Sequence, residues 1–275
     1  MEGGIILPFR MRLDAHVHLS TYQGNADSLE GALDALLADM AANGIGAAIV
    51  IPDNVEGSET IADLDRAMAL IGDRTNLHVL GSPQILQRGS GECDRYRKLL
   101  ETGAIKGLKF FPGHDAYYPT DERCLPYYAI CEELGTPVLF HTGQNTGDSA
   151  CAEWNDPKYI VDIAKRYPAL PVVITHYFWP KMEYCYEITR DCPNICFETA
   201  AMADGEVVEM SGGIGTVRGI LKQTIADRPD KVMFGTDWPM CDMADHIRLV
   251  TSLGLPSDIE EAVFSGNARR IYRLG

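Results

Sequence analysis

Eight short apolar runs rich in β-branched residues recur along the chain, at residues 13–19, 45–52, 77–83, 104–111, 137–143, 170–176, 194–200 and 231–237. Their starts lie 32, 32, 27, 33, 33, 24 and 37 residues apart, close to the roughly 30 residues that a strand and its returning helix occupy. Runs this continuous suit strands covered on both faces, as in parallel sheets. The stretches between them, at 28–42, 60–71, 123–134, 157–167, 181–190 and 216–226, carry apolar residues at helical spacing. In the first, Leu29, Leu33, Leu36, Leu37 and Met40 fall on one stripe, with Ser28 placed as N-cap and Asn43-Gly44 as a stop. Asp156-Pro157 reads as a cap followed by a first-turn proline.

Eight such units in 275 residues predict an α/β fold, a (β/α)8 TIM barrel forming a single domain over residues 1–275, with the barrel core at about 11–273. A doubly wound open sheet is the other α/β solution, but no G-x-G-x-x-G follows the first run. No Pro-rich, Gly/Ser-rich or single-charge linker interrupts the alternation. Residues 1–10 precede a second methionine and read either as a cap on the barrel bottom or as a matter of start-site choice. Long loops are expected at 113–122, 144–155 and 202–215, all after strands, on the face where barrel active sites sit.

The chain has 24 Lys+Arg against 39 Asp+Glu, a formal charge of −15, which argues against nucleic-acid and anionic-membrane partners. It lacks an apolar run near the ~20 residues of a membrane span and a cationic, signal-like start, so a cytoplasmic location is expected. A small molecule is the expected partner, with a homo-oligomer such as a dimer left open. None of the eight cysteines forms a C-x-x-C pair; they are expected to be reduced structural thiols, the alternative being a zinc–thiolate cluster.

Asp14-Ala15-His16-Val17-His18 puts two histidines two apart on the first strand, so period-2 alternation predicts both imidazoles on one side. His141 closes the fifth run, His176 the sixth and Asp237 the eighth. Imidazoles and a carboxylate converging at strand ends suit Zn2+, and also Mn2+ or Fe2+, with a position open for water.

The Asp-x-His-x-His strand, Gly107-Leu108-Lys109, His141-Thr142-Gly143, His176, Gly235-Thr236-Asp237-Trp238-Pro239 and the closing Gly266-Asn267-Ala268-Arg269-Arg270 together resemble the amidohydrolase superfamily. Within it, the chain is similar to the compact branch that includes aminocarboxymuconate-semialdehyde decarboxylase, resorcylate-type decarboxylases and pyrone-dicarboxylate lactonase. The resemblance implies His16, His18, His141 and Asp237 as metal ligands. It implies His176 as acid/base beside one metal, or as a ligand if there are two, and Lys109 as a bridge only if carboxylated. One ion is the expected arrangement. Tyr177-Phe178 departs from relatives, which commonly have a glycine after this histidine.

By position, Lys109, His114, Asp115, Tyr117, Tyr118, Trp179, Glu198 and Trp238 are candidate pocket residues, and Arg88, Lys109 and Arg218 candidate cations for a carboxylate substrate. The expected activity is metal-dependent hydrolysis of a small ester, lactone or amide, with Asp237 or His176 deprotonating the metal-held water. The alternatives are non-oxidative decarboxylation of an unsaturated or aromatic acid, and a metal-binding barrel without catalysis.

Overall fold

The computed structural model describes residues 11–87 and 91–275; residues 1–10 and Arg88 lie outside the described residues. All eight apolar runs contain a strand: β1 (Arg12–Val17), β2 (Ile45–Val50), β3 (Leu77–Val79), β4 (Leu108–Phe110), β5 (Val138–Phe140), β6 (Val172–Ile174), β7 (Ile195–Glu198) and β8 (Val232–Met233). They pair in parallel as β1-β2-β3 and β4-β5-β6-β7-β8. Single bridges join the two sheets at both seams, Gly81 to Leu108 and Val17 to Trp238, completing the circuit of a (β/α)8 barrel.

Side-chain alternation sorts each strand between two apolar layers. Leu13, Ala15, Leu139, Val173, Cys196 and Met233 fill the interior. Val138, Phe140, Val172, Ile174, Ile195 and Phe197 pack outward among the helices. Each fully buried Leu or Val side chain of these layers contributes roughly 1.5–3 kcal/mol.

Eleven α-helices surround the barrel among the described residues. They begin with α1 (Leu29–Ala42), α2 (Leu64–Ile71), α3 (Glu92–Glu101), α4 (Leu125–Leu134), α5 (Pro157–Arg166) and α6 (Met182–Ile188). After these come α7 (Gly205–Met210), α8 (Ile214–Asp227), α9 (Met243–Thr251), α10 (Ser257–Glu261) and α11 (Asn267–Ile271). Ser28 caps α1 through Gly31 N–H, and Asp156 caps α5 through Lys158 N–H. Ala268, Ile271 and Tyr272, on and after α11, join the inner apolar layer.

Two expectations are corrected. The segment 202–215 is not all loop: it contains α7, whose Asp204 cap accepts from the N–H groups of Glu206 and Val207. Helix α3 lies in a stretch whose buried residues are only Tyr96 and Leu100, a stripe too thin to register as amphipathic periodicity. Among the described residues no helix is long and apolar enough to cross a membrane. All eight cysteines are free.

Candidate metal centre

The site begins with an irregularity in β1. Asp14 pairs with Ala48 and Val17 with Val50, so Ala15 and His16 together oppose Ile49 alone, which is the count of a β-bulge. Leu13 and Ala15 face the interior; strict alternation would therefore turn His16 outward. The bulge reverses the phase at that point and brings His16 back to the inside.

Asp14 holds the bulge. Its buried carboxylate accepts from the N–H groups of His16 (3.1 Å) and Thr236 (3.0 Å) and from Thr236 Oγ1 (2.6 Å). Burial pushes the Asp14 carboxyl up to about 7, against the opposing bonds from Thr236. Asp237 N–H donates to the His16 carbonyl (2.9 Å) and His18 N–H to that of Trp238 (2.7 Å), so β1 and the chain after β8 are laced together. Asp237 itself takes φ 72°, a left-handed conformation that is costly for a non-glycine residue and clusters at functional sites.

The result is a compact triangle of donors. His16 Nε2 lies 3.2 Å from His18 Nε2, and Asp237 Oδ1 lies 3.2 Å from the first and 3.3 Å from the second. Tetrahedral ligands bound at about 2.0–2.1 Å are separated by about 3.3 Å, so the three atoms fit one divalent ion of that size. The tautomers fit as well. His18 Nδ1 lies 2.9 Å from the Ile51 carbonyl, and His16 Nδ1 abuts Glu198 Oε1, which turns both Nε2 lone pairs toward the common point.

Imidazoles continue across the barrel mouth. Ring centroids are 5.1 Å apart for His18–His16, 5.2 Å for His16–His176, 4.9 Å for His176–His141 and 4.4 Å for His141–His114. His176 takes φ 62°, and its Nδ1 faces the Ala200 carbonyl at 3.2 Å. Burial pulls the His176 imidazole down to about 3, opposed by the charge of Asp237, so it is neutral at neutral pH. Burial, reinforced by the charge of Lys109, likewise keeps His16 neutral. For Asp237, burial favours the protonated form but the surrounding imidazoles outweigh it and hold the carboxyl well below its usual range. Lys109 is fully buried with Nζ donating to Thr175 Oγ1 (3.1 Å). Its pKa falls to about 8 through burial, partly offset by Glu198 and Asp237.

A family model described as amidohydrolase matches residues 13–274. The chain belongs to the amidohydrolase family. Among solved structures, an uncharacterized TIM-barrel protein from Bordetella bronchiseptica aligns with a TM-score of 0.75 at 21% identity, covering 96% of this chain and 98% of that one. A protein described as a 2-pyrone-4,6-dicarboxylic acid hydrolase, from Pseudomonas putida, aligns at 0.71 and 16%, covering 96% and 98%. The 5-carboxyvanillate decarboxylase of Sphingomonas paucimobilis aligns at 0.63 and 17%, covering 97% and 100%. At these identities the likeness shows the fold. No curated protein matches the sequence.

In this amidohydrolase not every candidate residue reaches the centre. His141 has a ligand atom within 4.8 Å of His114 and Cys151, and its ring also lies beside His176, 4.9 Å away. Glu198, expected at the pocket wall, is instead buried behind His16. Tyr117 is buried and its hydroxyl accepts from Phe111 N–H (2.9 Å), pinning the loop after β4. Trp238 Nε1 donates to Asp39 on α1 (2.8 Å), and Trp179 is packed in the outer apolar layer; both were expected at the pocket wall. Asp115 accepts from Asn54 (2.6 Å), and Tyr118 stacks against Trp154 and Tyr159 near the surface. Arg218 reaches the Ser252 carbonyl on the outer shell and is no candidate for the pocket.

Sequence reasoning missed Asp14, Thr175, Thr236 and Asn155. Fully buried Asn155 ties the loop after β5 to the ends of β4 and β5, accepting from Gly143 N–H (2.8 Å) and donating to the carbonyls of Pro112 (3.2 Å) and Gly143 (3.1 Å). Gly143 is required where it stands: at φ +88° a Cβ would lie 2.6 Å from the Trp179 carbonyl. The signal that could have found Asp14 was in the strand itself, a carboxylate within an otherwise apolar run.

Proposed function

We propose that the chain is a metal-dependent hydrolase of a small ester, lactone or amide, with His16, His18 and Asp237 holding one Zn2+ and His176 as the general base. The observation that carries this reading is the three-donor triangle with a neutral imidazole beside it. Three protein ligands, two of them histidines, are the donor set of a catalytic rather than a closed structural zinc site. Bound there, a divalent ion lowers the pKa of water from ~15.7 to about 7 and polarises a carbonyl.

His176 accepts the proton of the attacking water and returns it to the leaving group, while Asp237, 3.2 Å from His16 Nε2, is a second acceptor. Glu198 keeps His16 in its ligating tautomer. Lys109 serves as a free ammonium rather than as a carboxylated bridge, since Nζ is already engaged with Thr175. It supplies positive charge for an anionic substrate group, which suits a carboxylated lactone or ester.

Decarboxylation uses the same ligands, and the buried cation at Lys109 also favours a substrate carboxylate there. It asks His176 to deliver its proton to carbon rather than to a leaving oxygen or nitrogen, so the products formed decide between the two reactions. The test is a panel of carboxylated lactones, esters and hydroxybenzoates offered to chelator-stripped and Zn2+-reloaded protein. Metal-dependent acid release without CO2 is the expected result. Turnover of the lactone or ester at full rate by stripped protein defeats the proposal, and CO2 release from a benzoate replaces it with the decarboxylase reading.

A further inference from the structure

We propose that His246 is a positioning residue for His176: from helix α9 it latches the loop after β7, and the Ala200 carbonyl in that loop sets which ring nitrogen of His176 is basic. The inference rests on the reading of His176 as the general base and concerns what aims it.

His246 is fully buried, and both of its ring nitrogens are used inside the chain. Nδ1 lies 2.9 Å from the Asp242 carbonyl, and the Ala203 N–H donates to Nε2 at 3.3 Å. A carbonyl only accepts, so the first contact puts the proton on Nδ1 and leaves Nε2 as the acceptor that the second needs. Burial lowers the His246 pKa, with the Asp242 bond opposing, so the ring is neutral at pH 7 and Nε2 keeps its lone pair. Asp242 is also the N-cap of α9, accepting from Asp245 N–H (2.9 Å). The latch is thus mounted on the first turn of the helix that follows Asp237.

The loop it holds is short. Its near end is fixed to the chain just after β8, where Thr199 Oγ1 donates to the Gly235 carbonyl (2.9 Å) and accepts from Gly235 N–H (3.1 Å). Its far end is fixed by His246 through Ala203. Between the two stand Ala200, whose carbonyl faces His176 Nδ1 at 3.2 Å, and Ala201 at φ 64°. A left-handed conformation is unfavourable for alanine and persists only where its surroundings impose it. Asp204 N–H closes this turn on the Ala201 carbonyl (2.9 Å), one residue beyond the point where His246 grips it. With the latch gone the turn relaxes and carries the Ala200 carbonyl with it. That carbonyl keeps the proton on His176 Nδ1 and the lone pair on Nε2, and a base held in the wrong tautomer cannot take the proton of water.

The experiment is long-range 1H–15N correlation on the chelator-stripped full chain labelled with 15N-histidine, with the His176 signals assigned by their loss in His176→Gln. In the unaltered chain His176 should show a single tautomer, protonated at Nδ1. His246→Asn and His246→Gln both introduce a neutral amide, but only the longer Gln reaches the Ala203 N–H. His246→Asn should turn His176 into a mixture of tautomers. It should also lower kcat by about 10–100-fold on whichever ester or lactone the unaltered chain hydrolyses, with KM and Zn2+ affinity little changed. His246→Gln should recover the single tautomer and most of the rate. Circular dichroism confirms folding, and His246→Phe, which keeps a ring and loses both bonds, replaces His246→Asn if that variant is not folded. A single Nδ1-protonated His176 retained in the folded Asn or Phe variant, or the same loss in His246→Gln, overturns the proposal. Should the unaltered chain hydrolyse nothing in the panel, the proposed function fails, while the tautomer comparison still decides whether His246 aims His176.

Discussion

Glu198 and His16 meet deep in the barrel. Glu198 Oε1 lies against His16 Nδ1, both side chains are shielded from solvent, and Glu198 Oε2 has no hydrogen-bond partner among the described residues. Burial raises the Glu198 carboxyl to about 7, with Lys109 opposing. A carboxylate behind a ligating histidine fixes its tautomer and strengthens it as a donor, an effect worth about 10–100-fold in metal affinity. Glu198→Gln should therefore stay folded and bind Zn2+ about 10–100-fold more weakly. Competition against a chromophoric chelator reads this directly, and unchanged affinity would show that the contact is mere packing.

Metal removal should be visible in stability. An ion that binds only the folded chain, present at 100 times its Kd, adds about 2.7 kcal/mol, or roughly 5–10 °C in Tm for a chain of this size. Chelation should lower Tm by that order and Zn2+ should restore it. In His16→Ala the chelator-sensitive shift should largely disappear, and a full-sized shift there would place the stabilising ion elsewhere.

The pH dependence of His176 has a definite sign. Its folded pKa, about 3, lies below the unfolded 6.5, so below pH 6.5 the unfolded chain takes up a proton that the folded chain refuses. The folded state is thus fully favoured above that pH and loses stability as pH falls toward 3. Between pH 7 and pH 5 the loss from this one group is on the order of 2 kcal/mol. His176→Gln should lack it, so in metal-free protein the drop in unfolding free energy over that interval should be smaller in the variant than in the unaltered chain. Equal drops would mean that His176 is not buried neutral.

The barrel was legible because parallel strands covered on both faces are written as apolar runs, and eight runs at near-constant spacing admit few architectures. His16, His18 and Asp237 were legible because strand ends place their side chains predictably. The reason offered for His16 was incomplete, however: simple alternation fails on β1, and the bulge at Asp14–Val17 makes the two histidines converge. The groups that lie behind the site left weaker traces. Glu198 and Trp238 sit at strand ends like the ligands do, and only the packed structure separates a residue facing the pocket from one facing a neighbour. The way the loop after β5 meets the end of β4 depends on Asn155, which carries no periodic signal at all.

Asp14 should prove as important as a ligand without being one. Its carboxylate accepts three bonds that fasten the bulge of β1 to Thr236 beside Asp237. Asp14→Ala leaves buried donors unsatisfied, at about 1–3 kcal/mol for each such group, and frees His16 to turn. A Tm fall of several degrees together with weakened Zn2+ binding is expected, whereas Thr236→Val, which removes only the hydroxyl bond, should be milder in both. Weakened binding in Asp14→Ala without any Tm change would point to a direct rather than a positioning role.

Lys109 separates substrate recognition from chemistry. It is the buried cation facing Glu198 and Asp237, with its pKa lowered to about 8 by burial, so most of it remains charged at pH 7. Replacing it with Met keeps the length and the packing while removing the charge. For a carboxylated lactone or ester, Lys109→Met should raise KM by about 10-fold or more, the scale of a charge-assisted hydrogen bond of about 1.5–3 kcal/mol. For the matching methyl ester, which carries no anion, KM should barely move. The distinguishing measurement is the ratio of the two KM changes. Equal loss on both substrates, carried in kcat, would place Lys109 in the chemical step instead and reopen its role as a carboxylated bridge between two ions.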